Sequence, residues 1–136
     1  SFACRSMNDI MERANINANK APKAVGPYSH AVKIGDMIYT SGQIPLNPES
    51  GEIVSDAIED QTRCVLENLS AVLEAAGTGT ANVVKTTLFL TSMGDFAEVN
   101  KIYAEYFGET LPARSTIEVA GLPLGSRVEI EAIAHL

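Results

Sequence analysis

Tryptophan is absent from the 136 residues, and histidine and cysteine occur only twice each. Cys4 and Cys64 are too few for a disulfide framework, and His30 and His135 share no metal-binding spacing with each other or with a carboxylate. Neither a metal nor a cofactor is expected, and the cysteine usage suits a reducing, cytoplasmic setting, with mitochondrion or plastid as alternatives. Long apolar runs are missing too. The best candidate, Val83 to Leu90, is broken by Lys85 and two threonines and falls far short of the roughly 20 residues that span a bilayer. Basic residues are scarce: 10 Lys and Arg face 17 Asp and Glu, a net charge of -7. That field repels phosphate backbones, and no basic cluster overrides it, so neither nucleic acid nor membrane is an expected partner. Glycine-rich phosphate loops and nucleophile elbows are also lacking.

What is present is the composition of one ordinary globular domain, 46% hydrophobic and 20% charged. Residues 1–20 read as an extension outside that domain, a frayed end or a remnant of expression. Targeting is the competing reading, although Asp9 and Glu12 are unusual in transit peptides. The domain proper is expected over 21–136.

Two β-prone runs, Ser29 to Ile34 and Met37 to Thr40, flank Gly35-Asp36, a two-residue connection that closes a hairpin. A loop rich in proline and glycine follows to Gly51. Ser55 is the expected cap of a helix with apolar positions at Ile58, Val65, Leu69, Val72, Leu73 and Ala76, ended by Gly77. A strand over Val83 to Leu90, a helix from about Asp95 to Gly108, and strands Ala113 to Val119 and Arg127 to Ala134 complete the chain. The order ββ, helix, β, helix, ββ favours an α+β sheet with both helices on one face. Strand 83–90 carries apolar residues at both parities, Val84, Leu88 and Leu90 against Val83 and Phe89. The second face therefore needs a cover, and other copies of the chain are the simplest one, a homo-oligomer. Met93 reads as a core filler.

For chemistry, Arg114, Thr116 and Glu118 share one strand face, and Arg127, Glu129 and Glu131 share another. If those two strands pair around the Gly121 to Gly125 turn, an arginine and a glutamate reach one site. The ordinary alternative is a solvated strand face with rim ion pairs worth little. Tyr28 and Ser41 lie where loops meet strands, Asn100 is a polar position of the second helix, and Cys64 reads as a buried, inert thiol.

Five segments, Gly26-Pro27-Tyr28-Ser29, Thr40-Ser41-Gly42-Gln43-Ile44-Pro45, Asp95-Phe96 with Val99-Asn100, Pro112-Ala113-Arg114-Ser115 and Glu129-Ile130-Glu131-Ala132-Ile133-Ala134, together resemble one family. It is the reactive intermediate deaminase A family, also called YjgF/YER057c/UK114, and the resemblance runs from about Ala21 to Leu136. It implies a chorismate-mutase-like α+β fold, a homotrimer around a central β-barrel, and clefts at the subunit interfaces. The implied activity is hydrolysis of small 2-imino acids and their enamine tautomers, such as 2-aminoacrylate, to 2-oxo acids and ammonia, as a 2-iminobutanoate/2-iminopropanoate deaminase. By the same resemblance Arg114 grips the substrate carboxylate and Glu129 holds and deprotonates the attacking water. Tyr28 bonds the substrate, Ser41 and Gly42 wall the cleft, Asn100 supports it, and Thr116 contributes its backbone. Relatives often carry cysteine where Thr116 stands, which weakens any thiol mechanism and leaves the water route intact. Two other classes compete: an endoribonuclease or translation inhibitor, and a non-catalytic carboxylate-binding or holdase module.

Overall fold

A tight hairpin, two amphipathic helices and a set of short alternating strands have one economical arrangement, a single sheet with the helices on one side. The computed structural model describes residues 12–136 and has this form. The strands are β1 (Arg13–Ile16), β2 (Ala31–Ile34), β3 (Met37–Thr40), β4 (Val83–Leu90), β5 (Ala113–Glu118) and β6 (Val128–His135), and the helices α1 (Ile58–Ala75) and α2 (Phe96–Phe107). The sheet order is β1-β2-β3-β6-β4-β5, with β4 and β5 parallel and every other pair antiparallel. Among the described residues no helix is long and apolar enough to cross a membrane.

The hairpin forms as expected, Ile34 opposite Met37, with Gly35 supplying the positive φ of 57° that the turn requires. Helix α1 buries Val65, Leu66, Leu69, Val72 and Leu73 along one stripe. It ends in a Schellman motif: Gly77 adopts φ 88°, its N–H donates to the Glu74 carbonyl, and the Thr78 N–H donates to Leu73. Its start differs from expectation. The cap position is Ala57, and Ser55 instead accepts from the Ala57 N–H while its hydroxyl donates to Asp60, a local turn that competes with capping. Helix α2 buries Val99, Ile102, Tyr103 and Phe107. Both helices face Ile38, Leu88, Leu90, Val128 and Ile130, all fully buried. Met93, expected inside, is 42% exposed.

Three further corrections follow. The domain starts before residue 21, because β1 pairs with β2 and Ala18 is buried in the core; residues 1–11, with Cys4, lie outside the described residues. In β4 the register shifts between Val83 and Lys85, a bulge that resets the alternation. Val83 therefore joins Leu88 and Leu90 in the core while Val84 is 43% exposed, the reverse of the expected parity. Finally, β5 and β6 do not pair: β4 lies between them. The sheet face away from the helices still presents Tyr39, Phe89, Ile117 and Ile133 as exposed or half-buried side chains.

Candidate active site

Alternation along β6 buries Val128 and Ile130 under the helices and turns Glu129 to the opposite face. The strand's entry is anchored just before it. The Arg127 guanidinium pairs with Asp95 at 2.7 Å and donates to the Asp56 carbonyl, and the Arg127 backbone N–H donates to the buried Gln61. Arg127 is thus a structural tie rather than a member of a charged strand face. Glu129 itself is half-buried, and its side chain crosses directly over Gly42, where a Cβ would stand 2.3 Å from its Oε2. Only glycine leaves room for that path. Burial first, and the like charge of Glu131 second, raise the Glu129 carboxyl above its ordinary pKa, which suits a group that must take up a proton.

Tyr28, Ser41, Gly42 and Glu129 line one cavity of about 750 Å³, joined by His30 and by the apolar groups of Val25, Ile44 and Leu124. The Ser41 hydroxyl donates to the Ser29 carbonyl at 2.6 Å, so it braces the wall. His30 is buried, accepting from the Ala18 N–H at Nδ1 and donating from Nε2 to the Pro22 carbonyl. Both contacts require the neutral Nε2–H tautomer. They tie the segment from Ala18 to Pro22 across the cavity's edge.

Arg114 occupies a different cavity of about 460 Å³, with Asn100, Tyr103, Phe107, Leu111 and Pro112. Its guanidinium lies 4.9 Å from the Tyr103 ring centre and 5.4 Å from that of Phe96, and donates to Asn100 Oδ1 at 2.8 Å. Tyr103 is fixed in turn by a 2.7 Å bond to Thr86, and burial pushes its hydroxyl pKa up. Phe96, Asn100 and Tyr103 repeat at i, i+4 and i+7, one face of α2. That spacing is the sequence signal that could have revealed the aromatic support of Arg114, which was not singled out from the sequence. Among the described residues no carboxylate pairs with Arg114. A stacked, oriented and unpaired guanidinium is a ready receptor for a planar anion.

The seven expected site residues thus divide. Tyr28, Ser41, Gly42 and Glu129 stand together, and Arg114 stands with Asn100. Thr116 is half-buried on β5 opposite Leu88 and lines neither cavity. Register separates the two groups. Arg114 is opposite Thr86, on the helix side, whereas Glu129 is opposite Phe89, on the other side. An arginine and a glutamate from adjacent strands, the expected arrangement, therefore do not meet within one chain. His30, Tyr103 and Leu124 were not singled out from the sequence. Cys64 lies outside both groups, its Sγ 3.3 Å from the Leu46 carbonyl and its thiol pKa pushed up by burial, consistent with an inert side chain.

A family model described as Endoribonuclease L-PSP matches residues 18–136. A RutC family protein of Pyrococcus horikoshii is 53% identical over 120 residues, 88% of this chain and 95% of that protein. The mouse 2-iminobutanoate/2-iminopropanoate deaminase is 50% identical over 128 residues, 94% of each chain. Among solved structures, Escherichia coli TdcF with bound serine superposes with a TM-score of 0.86 at 44% identity, covering 90% of this chain and 98% of its own. With its six-stranded sheet, its paired helices and the motifs that line both cavities, the chain belongs to the YjgF or reactive intermediate deaminase A family, whose model bears the Endoribonuclease L-PSP description.

Proposed function

We propose that the protein hydrolyses small 2-imino acids, and enamines such as 2-aminoacrylate through their imine tautomers, to 2-oxo acids and ammonia, in clefts formed between the subunits of a homotrimer. The observation that carries this reading is the division of the site: one chain holds a stacked, unpaired guanidinium, Arg114, and a half-buried carboxylate, Glu129, on opposite faces of its sheet. A second copy, packed against the uncovered face, brings the Arg114 group of one chain to the Glu129 group of the next. In a cyclic trimer this contact is heterologous and closes on itself, joining the sheets into a barrel. The deaminase name of the mouse relative supports the reaction, and the serine bound to TdcF supports a ligand of amino-acid size. A cytoplasmic setting belongs to the same proposal.

Each step then has a residue. The Arg114 guanidinium holds the substrate carboxylate through two parallel N–H donors. Tyr28 hydrogen-bonds the substrate across the cleft. Glu129 accepts a proton from water as its oxygen bonds to C2 of the N-protonated imine, giving a carbinolamine. The same carboxyl passes the proton to the amino nitrogen, the C–N bond breaks, ammonia leaves, and the remaining hydroxyl loses its proton to give the 2-oxo acid. The imine carbon is already electrophilic, so positioning and a general base contributing about 10²- to 10⁴-fold are enough.

Complementation tests both the chemistry and the shared site. Arg114→Ala and Glu129→Gln are each expected to be inactive on 2-iminobutanoate. Co-expressed in equal amounts, they leave about a quarter of the interfaces with both groups intact and should recover that fraction of activity. No recovery in mixed oligomers would show that the two groups do not share a site between chains. The family description also suggests ribonuclease activity. RNA cleavage that survives nuclease-free purification and is lost in Glu129→Gln would favour that reading. Retained binding of a 2-oxo acid by a parent without turnover would favour a carboxylate-binding module.

A further inference from the structure

Among the described residues, only Leu111 and Leu124 hold positive φ without being glycine, at 52° and 57°. In that region the Cβ of an L residue crowds its own carbonyl oxygen, so such positions ordinarily go to glycine or asparagine. Each leucine lines one of the two half-sites, Leu111 beside Arg114 and Leu124 beside Glu129. Burial does not offset the strain within the chain, because Leu111 is 76% and Leu124 70% exposed. Strained side chains of this kind cluster where a ligand is held.

At Leu124 the backbone is set without help from its side chain. The Ser126 N–H and hydroxyl both donate to the Pro123 carbonyl, at 3.1 and 2.7 Å, and Gly125 follows with φ 70°. Glycine at 124 would satisfy that turn. Leucine adds an isobutyl group at the rim of the Glu129 cavity, beside Val25 at 84% and Tyr28 at 51% exposure. We infer that Leu124 is a specificity-determining residue, the apolar wall along which the side chain of a 2-imino acid lies. This rests on the proposed function. With the carboxylate at Arg114 and C2 beside Glu129, the remaining part of the substrate is its side chain, and an apolar rim next to a carboxylate favours an alkyl group over an acidic one.

The test compares imines generated in place by an amino-acid oxidase from alanine and from norvaline, whose side chain is two methylenes longer. Each buried methylene is worth a factor of roughly four, so Leu124→Gly and Leu124→Asn should each lower the norvaline-to-alanine ratio of kcat/KM by about tenfold. Both residues accept the left-handed conformation, so both variants should fold and assemble like the parent. An unchanged ratio overturns the inference. So does loss of assembly in both variants, which would make Leu124 a subunit contact. If the parent hydrolyses no imine at all, the proposed function fails separately. The wall is then read by NMR titration with 2-oxopentanoate and pyruvate, whose affinity ratio should fall by the same factor in both variants, and a ratio that stays put overturns it.

Discussion

Gly42→Ala would determine whether Glu129 works from the position it occupies. The new Cβ would stand 2.3 Å from Oε2, 2.7 Å from Cδ and 2.9 Å from Cγ of Glu129, whereas nonbonded carbons settle at about 3.5–4 Å. Gly42 is not among the positive-φ glycines, so alanine meets no backbone strain and the conflict is with one side chain. Because the crowding reaches inward to Cγ, the whole side chain must turn, which moves the carboxylate by about 1 Å or more. A displacement of that size at a reacting group is worth on the order of 10²-fold in rate. Overpacking typically costs about 1–3 kcal/mol, within the stability of an ordinary domain, and a half-buried glutamate has room to give way. Steady-state hydrolysis of 2-iminobutanoate, with thermal melting and light scattering on the same samples, should show a folded, assembled variant. Its kcat should be lower by about 10²-fold with KM little changed, because Arg114 lies in the other cavity. A folded Gly42→Ala protein with parental kcat would refute the placement of Glu129 as base.

Arg114→Ala should lose roughly two orders of magnitude or more in kcat/KM, since two charge-assisted hydrogen bonds disappear, and Arg114→Lys should lose less because it keeps the charge without the planar fork. For Glu129, the folded pKa lies above the unfolded one, so the folded state binds more protons between the two values and stability falls as pH rises through that window. Glu129→Gln should accordingly melt higher than the parent at pH 7, with the difference vanishing below the ordinary glutamate value of about 4.3. In the parent, the acidic limb of kcat/KM should lie above that same value, and a limb at or below it would argue against Glu129 as the titrating base. Gly77→Ala puts a side chain at φ 88° in the α1 terminus and should cost about 1–2 kcal/mol in denaturant unfolding, with no change in kcat.

Most helix and strand positions were legible because their causes are local. The stripe from Ile58 to Leu73, the Gly35-Asp36 turn and Gly77 each act within a few residues. Strand β1 was missed for a physical reason: Arg13–Ile16 is an edge strand, three of its four residues exposed, and it is held by backbone pairing to β2 with no alternating apolar pattern to betray it. The Ser55 cap was misplaced because a serine hydroxyl can close a turn two residues on as readily as it caps a helix.

The candidate site divides along the same line. Resemblance to the family nominated Arg114, Glu129, Tyr28, Ser41, Gly42, Asn100 and Thr116, and residue chemistry agrees for the first two, since a guanidinium suits a carboxylate and a carboxylate suits proton transfer whatever the fold. Which of them share a cavity was decided by strand order. The insertion of β4 between β5 and β6 joins residues far apart in the chain, and the resulting register puts Arg114 and Glu129 on opposite faces. The same holds for the path of Glu129 over Gly42 and the left-handed turn at Leu124. Both depend on contacts between segments distant in sequence or on a backbone angle unusual for leucine, whereas composition and periodicity report only a residue's chemical type and its near neighbours.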